Sequence, residues 1–467
     1  MRKRVAHNNT FRPTIVLLAM QLCCIHFIGK TQANHTDQLT TGQLTDSVFC
    51  MADPSQSYAV YLPLTSSSSP MPVIYFFDAH GAGALPLRQY KTLADEYGFV
   101  LVGSNNSKNG NTWPTTENIW QQMFNDAQKR LPINSNRVYA CGFSGGAKAA
   151  GYLALKYPTI KGIIANSAGL PDGVAANNFA FSITLLAGEG DMNMAGLVAF
   201  NNSLNSTTTL HRLAIFSGKH EWAPANTMAL AFAGLQLDAM RQGLLAKNSN
   251  FVNEFVAGSK QHVDAFFTAN QLIKATQECS FSTSVLNGLS EQEGWFKNKL
   301  AAIAGSAAYQ KQLVGQQTLL ATEQNMQAGF MQQFEQGSMQ YWATTIGSLQ
   351  TAAAAKTPNG MMHQRLVAWL SLAFYSITNQ LLSSSQNEGA RHFVDLYKLD
   401  DPTNSEAWYL SAVLFARAGK PQMAARDLLK AVSCGFTDKN RLEQQPEFNT
   451  QSKLMAINVI EQKSHVK

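Results

Sequence analysis

Between residues 57 and 238, short apolar runs alternate with longer stretches whose apolar positions recur at helical spacing. The runs lie at 58–63, 72–78, 98–104, 137–142, 160–166, 181–187 and 211–216, and each has the length of a strand. Helices are predicted between them over 87–97, 117–130, 147–156 and 195–204. Such alternation predicts an α/β fold, a mostly parallel sheet with crossover helices, because parallel neighbours need a long connection that packs back on the sheet. The row Ser66, Ser67, Ser68 and Ser69 ahead of Pro70 reads as a turn or surface loop between the first two strands.

After about residue 245 the strand signals stop, and Gln, Ala, Leu and Met dominate. Helices are predicted over 255–275, 291–309, 318–348 and 364–383, with breaks at some of Gly258, Gly294, Gly305, Gly315, Gly329, Gly337 and Gly347. Further on, Trp408, Ala412, Phe415, Gly419, Ala424, Leu428 and Ala431 follow a large-and-small spacing that resembles the tetratricopeptide repeat. Ala390, Val394, Tyr397 and Pro402 match the second helix of a preceding unit. Stable stacks need about three units, so this pattern reads either as a small helical appendage packed on something else or as a plain helical bundle with alanine at close contacts. A chain of 467 residues exceeds what one core holds. The predicted division is a leader at 1–33, an α/β domain at 34–245, a helical region at 246–360 and a tetratricopeptide-repeat-like helical region at 361–467.

The N-terminus changes the picture of location. Arg2, Lys3, Arg4 and Arg12 precede an apolar run over 14–29 that Gln21 and His26 interrupt. That run is shorter than the roughly 20 residues of a spanning helix, and Thr31-Gln32-Ala33 offers small residues before a cut. We expect a cleaved signal peptide, a secreted or periplasmic mature chain starting near Asn34 and no stable membrane span after cleavage; an uncleaved anchor is the alternative. The formal charge of +6 falls to +1 once the five leader cations are removed, so no nucleic acid partner is expected. Cys50, Cys141, Cys279 and Cys434 form no CxxC pair and no metal-ligand spacing, which leaves their disulfide state open. Cys141 reads as a small buried hydrophobe. No phosphate-binding Gly-rich loop, HExxH or EF-hand spacing occurs, so neither cofactor nor metal is expected.

Candidate chemistry centres on Gly142-Phe143-Ser144-Gly145-Gly146, which follows a predicted strand and opens a predicted helix. This is the G-x-S-x-G nucleophile elbow, in which a strained turn lifts a serine above the sheet edge. In that arrangement an acid and then a histidine follow in the chain. Asp191 lies just past the run at 181–187, and His220 just past that at 211–216. Glu189 is the nearest rival acid and Asp172 a distant one. The rival histidines are His80, which belongs to the Gly-rich loop after an early strand, and His211, which begins a strand. For a tetrahedral oxyanion, Gly145 is the expected first amide donor, and the loop His80-Gly81-Ala82-Gly83 the source of a second, from Gly81 or Ala82. Trp113 and Trp222 are candidate substrate-stacking residues, with gap-filling beneath loops as the alternative for each.

On the Asp78-Ala79-His80-Gly81 segment, the elbow, Asp191 and His220-Glu221-Trp222, residues 57–241 resemble the α/β-hydrolase esterases that include polyhydroxybutyrate depolymerases, feruloyl esterases and acetylxylan esterases. The resemblance implies a compact, lipase-like core without a large cap. It also implies cleavage of a carboxylic ester, polymeric or carbohydrate-linked, through an acyl-enzyme on Ser144. Because the three candidate residues precede residue 245, the helical half is expected not to be needed to assemble them. Two other readings stay open: a peptidase on the same fold, and an exported binding or scaffold protein whose C-terminal helices hold a protein partner.

Overall fold

The computed structural model describes residues 39–64 and 70–465, so the predicted leader and the serine row at 66–69 fall outside the described residues. Seven predicted strands appear as β2 (Ser57–Tyr61), β3 (Met71–Phe77), β4 (Val100–Ser104), β5 (Ile133–Phe143), β6 (Ile160–Asn166), β7 (Ser182–Gly188) and β8 (His211–Phe216). An eighth, β1 (Leu44–Phe49), has no counterpart in the predicted elements. Only its Val48 is buried, and Leu44, Val48 and Phe49 around Thr45-Asp46-Ser47 do not alternate with the two-residue period of a strand. The sheet order is β1-β2-β4-β3-β5-β6-β7-β8. At one edge β2 runs antiparallel to both β1 and β4, and all other neighbours pair parallel, which together with the flanking helices is the α/β-hydrolase architecture.

Every residue of β3 and β7 is buried, as expected of parallel strands covered on both faces. Alternate side chains feed two cores. Val73, Tyr75, Phe77, Val138 and Ala140 face α2 (Trp113–Arg130), α3 (Gly145–Lys156) and α4 (Met194–Leu204) through Trp120, Leu153 and Leu197. Ile74, Phe76, Tyr139 and Cys141 face α1 (Ala84–Tyr97) and α5 (Ala225–Arg241) through Tyr90, Leu93, Phe232 and Leu235.

The second half is helical, as predicted: α6 (Ser249–Thr268), α7 (Leu272–Leu286), α8 (Glu293–Ala304), α9 (Ala307–Gln336), α10 (Met339–Ala353), α11 (Pro358–Ser383), α12 (Asn387–Asp400), α13 (Ser405–Arg417), α14 (Pro421–Ser433), α15 (Lys439–Gln444) and α16 (Thr450–His465). The expected glycine breaks occur at Gly305 and Gly337, whereas Gly258, Gly294, Gly315, Gly329 and Gly347 lie inside unbroken helices. A glycine costs a helix about 1 kcal/mol relative to alanine, too little to end it alone. The breaks fall where a new cap follows: Ser306 accepts from the Tyr309 amide and Ser338 from the Tyr341 amide. The predicted helix 255–275 divides at Asn270, whose φ of 54° is left-handed.

The predicted boundary at residue 245 cuts through a core. Leu237 and Met240 of α5 share one apolar cluster with Val252, Val256, Phe281, Val285 and Phe296 of α6 to α8, and α7 packs along β8. Ser284 Oγ also donates to the His211 carbonyl at 2.8 Å. Farther out, Trp342, Leu366, Leu370 and Phe374 form a core between α10 and α11, and Tyr409, Ala412, Leu428, Ala431 and Phe436 form another around α13 and α14. The described residues fall in one compact unit. Among them, α11 is the one helix long and apolar enough to cross a membrane; here Leu366, Leu370 and Phe374 are packed inside the helical half.

None of the four described cysteines is in a disulfide. Cys50, Cys141 and Cys279 are buried, and burial raises their thiols, that of Cys50 to about 11 and that of Cys279 to about 12. Such thiols carry almost no nucleophilic thiolate at neutral pH.

Candidate active site

Ser144 stands between β5 and α3 with φ 55° and ψ −121°, a conformation that side chains rarely occupy. Close backbone packing forces the turn. A Cβ on Gly142 would meet the Gly146 carbonyl oxygen at 2.0 Å, and one on Gly146 would meet the Phe77 oxygen at 1.9 Å. The Ser144 amide donates to the Asn166 carbonyl at the end of β6 (2.9 Å), which holds the elbow against the next strand.

The structure brings the three expected residues together from three strand ends. Ser144 Oγ lies 2.9 Å from His220 Nε2, and His220 Nδ1 lies 3.1 Å from Asp191 Oδ1. With Asp191 acceptor-only, this pattern assigns the imidazole proton to Nδ1 and leaves Nε2 to accept from the serine hydroxyl. Asp191 is fully buried, whereas 21% of the His220 side chain remains exposed. Asp191 Oδ1 also accepts from the Asn193 amide at 2.8 Å, and Asn193 Nδ2 donates to the Ser167 carbonyl at 2.8 Å.

The rival acids are engaged elsewhere. Glu189 accepts from Ser217 Oγ at 2.9 Å and pairs with Lys274 of α7 at 2.9 Å. Asp172 pairs with Lys148 at 2.8 Å. Of the rival histidines, His211 Nδ1 faces Asn201 Oδ1 at 3.0 Å and His80 faces Asp78 at 3.4 Å.

The histidine loop is strapped by a residue that sequence reading missed. Asn166 Nδ2 donates to the Glu221 carbonyl at 3.1 Å, while its Oδ1 accepts from the Ala223 amide at 2.7 Å. It ends a buried strand, where an asparagine looks like any strand terminus. Trp222, a candidate either for stacking on substrate or for filling a gap, lies beneath this loop. Only 9% exposed, it packs against Phe76, Tyr90 and Phe143, and its Nε1 donates to Asp78 Oδ2 at 3.0 Å. With its faces covered by aromatic neighbours, it fills a gap. Burial raises the Asp78 carboxyl, but bonds from His80 and Trp222 outweigh burial and hold its pKa below the usual value.

Trp222→Phe is therefore expected to destabilise the chain by about 1–3 kcal/mol, the cost of leaving a buried acceptor short of a donor. KM for aromatic acyl esters should stay within about two-fold. Thermal unfolding followed by circular dichroism and steady-state kinetics check both; a roughly ten-fold rise in KM would place the ring in the substrate site instead.

Trp113 opens α2, stacked on Tyr152 at 4.4 Å, and is still 41% exposed, so part of its surface remains accessible. Gly145 begins α3, where amides lack partners within the helix. The Gly81 amide, an expected second donor, is engaged with the Asp78 carbonyl at 3.3 Å, which leaves Ala82 as the candidate from that loop. Asn109 has no signal in the sequence, where Asn109-Gly110 reads as an ordinary turn. Its side chain lies against Gly145: a Cβ there would sit 1.8 Å from Asn109 Oδ1. No group of three or more potential metal ligands occurs among the described residues.

Residues beyond 245 touch loops and helices of the α/β part. Lys108, in the loop after β4, pairs with Asp438 at 3.2 Å, and Arg365 of α11 donates to the Glu189 carbonyl at 2.7 Å. Leu320 of α9, like Phe200 and Val174, packs on the core that includes Leu170 and Leu197. Residues beyond 245 thus reach the loop after β4 and the loop that carries Asp191.

No protein-family model matches the chain, and no curated protein does. Among solved structures, an esterase of Pyrobaculum calidifontis is 11% identical and covers 43% of this chain and 87% of its own, with a TM-score of 0.35. The fluorophosphonate-binding serine hydrolase F of Staphylococcus aureus, FphF, is 11% identical and covers 42% of this chain and 99% of its own, with a TM-score of 0.35. The thermostable carboxylesterase EstE1, cloned from a metagenomic library, is 12% identical and covers 43% and 90%, with a TM-score of 0.36. The fold of this chain is that of the α/β-hydrolases, followed by a long helical region.

Proposed function

We propose that the chain is an exported serine hydrolase that cleaves a carboxylic ester through an acyl-enzyme on Ser144. The observation that carries this reading is the 2.9 Å approach of His220 Nε2 to Ser144 Oγ at a residue held in a left-handed elbow, with buried Asp191 behind the imidazole. In the reaction, Ser144 Oγ bonds to the ester carbonyl carbon as its proton passes to His220 Nε2. The amide of Gly145, with one from Ala82, receives the oxyanion. Collapse breaks the bond to the alcohol, which leaves with the proton from His220. Water then attacks the acyl carbon, gives its proton to the same nitrogen, and the carboxylic acid departs with Ser144 restored. Asp191 keeps the proton on Nδ1 and stabilises the imidazolium.

Ester is favoured over amide on the resemblance of residues 57–241 to esterases of polymeric and carbohydrate-linked acyl groups. Exposed Trp113 is available to stack on a flat acyl group or sugar. Export rests on the basic, apolar leader ahead of Asn34.

A fluorophosphonate probe should label the purified protein at Ser144, and a panel of short acyl esters should turn over faster than a peptide library. Labelling with peptide turnover alone would assign a peptidase. No labelling and no turnover would leave the helical half as the functional part, a binding module on an inactive hydrolase frame.

A further inference from the structure

The triad acid sits on a loop whose backbone is gripped by the helical half. Arg365 of α11 is buried, with 5% of its side chain exposed, and faces Glu323 of α9, itself 4% exposed. Its Nε and Nη2 donate to the Glu323 carboxylate at 2.9 and 2.7 Å, and its Nη1 donates to the Glu189 carbonyl at 2.7 Å. One guanidinium therefore ties two long helices to a backbone atom two residues before Asp191. The next side chain back, Gln364, lies over Gly190, where a Cβ would come within 2.7 Å of its Oε1. Lys274 of α7 takes the Glu189 carboxylate on the outer side at 2.9 Å.

From the hydrolase side the same loop is held by two backbone bonds, the Glu189 amide to the Phe216 carbonyl and the Gly190 amide to the Gly218 carbonyl, both 2.8 Å. These tie it to the segment that carries His220. Asp191 must present Oδ1 to an imidazole on that neighbouring segment, and hydrogen-bond geometry weakens steeply with misalignment. Glu323 and Arg365 are also costly where they stand: a charged pair sealed from water persists only with its bonds complete. Packing between α9 and α11 would be met as well by apolar residues. The planar fork differs in reaching a carboxylate and a carbonyl in one rigid geometry.

We infer that Arg365, held by Glu323, is a positioning residue for Asp191, so that the helical half sets the geometry of the triad. This rests on the reading of Ser144, Asp191 and His220 as a triad.

The test compares the parent with Arg365→Met, Arg365→Lys and the double variant Glu323→Leu/Arg365→Met, on p-nitrophenyl acetate, with circular dichroism to establish folding. For Arg365→Met, kcat should fall about 10- to 100-fold with KM within about two-fold, because the acid is displaced while the acyl site is untouched. Arg365→Lys, which keeps the charge without the fork, should fall between the two. If Arg365→Met leaves Glu323 stranded and does not fold, the double variant carries the test. It replaces the ion pair with apolar groups of similar volume, a change that proteins often tolerate, and it still lacks the donor to the Glu189 carbonyl. A folded Arg365→Met or double variant with parental kcat overturns the inference, as does a loss confined to KM. A parent that neither labels with fluorophosphonate nor hydrolyses esters overturns the triad reading, and this inference with it. A parent that does both while the variants match it overturns the positioning role alone.

Discussion

Ser144→Ala and His220→Ala should each abolish ester hydrolysis nearly to the level of the double variant, on the order of a million-fold where this chemistry has been dissected in another enzyme. The two effects should not add. Once the 2.9 Å contact between Ser144 Oγ and His220 Nε2 is lost from either side, the nucleophile cannot shed its proton and the remaining partner has nothing to do. Asp191→Asn should cost less, about 10⁴-fold, because an amide nitrogen facing Nδ1 selects the wrong imidazole tautomer while nucleophile and base remain. Steady-state kinetics on an activated ester, with circular dichroism to establish folding, measures all of these. Parental activity in folded Ser144→Ala would remove the elbow from the mechanism. Silence of Asp191→Asn alone would return Glu189 to consideration, against its present engagement with Ser217 and Lys274.

A fragment ending at residue 245 should fail to give a soluble, active hydrolase. The order of the proposed triad residues along the chain would let it stand alone; the packing argues against it. Removing α6 to α8 uncovers Leu237 and Met240, at about 1.5–3 kcal/mol for each such side chain returned to water. It also takes away the Ser284 bond to the His211 carbonyl and the Arg365 bond to the Glu189 carbonyl. The sum is comparable with a typical net stability of about 5–15 kcal/mol. The edge strand β8, last in the sheet, would stand without α7, a state prone to association. Size-exclusion chromatography and ester turnover of the fragment are the measurements. A monomeric fragment with parental kcat would show that the helical half contributes neither cover nor geometry.

Local chemistry carried much of the architecture. A strand buried on both faces, such as β3, announces itself as a nearly unbroken apolar run, and the alternation with helices sets the fold class. The elbow is legible in part because Gly142 answers a steric demand made by atoms close in sequence, those of Gly146. Asp191 and His220 were legible because strand ends are where parallel sheets place their loops. Glycines in the helical half were weaker guides, since capping by Ser306 and Ser338 decides the breaks.

What the sequence by itself determined, then, is what has a periodic or local cause: seven of the eight strands, the helical character of the second half, the strained serine, and the order of the candidate acid and base behind it. Only the tertiary structure decided that Trp222 lies under the histidine loop, that Asn166 straps that loop, that Asn109 rests on Gly145, and that Arg365 grips the acid loop across 176 residues of chain. None of these has a local signature, because the partner that gives each side chain its role lies on another element. An arginine on an apolar helix or an asparagine ending a strand obeys no spacing rule. Its role follows from the buried donor or acceptor it meets when distant segments pack.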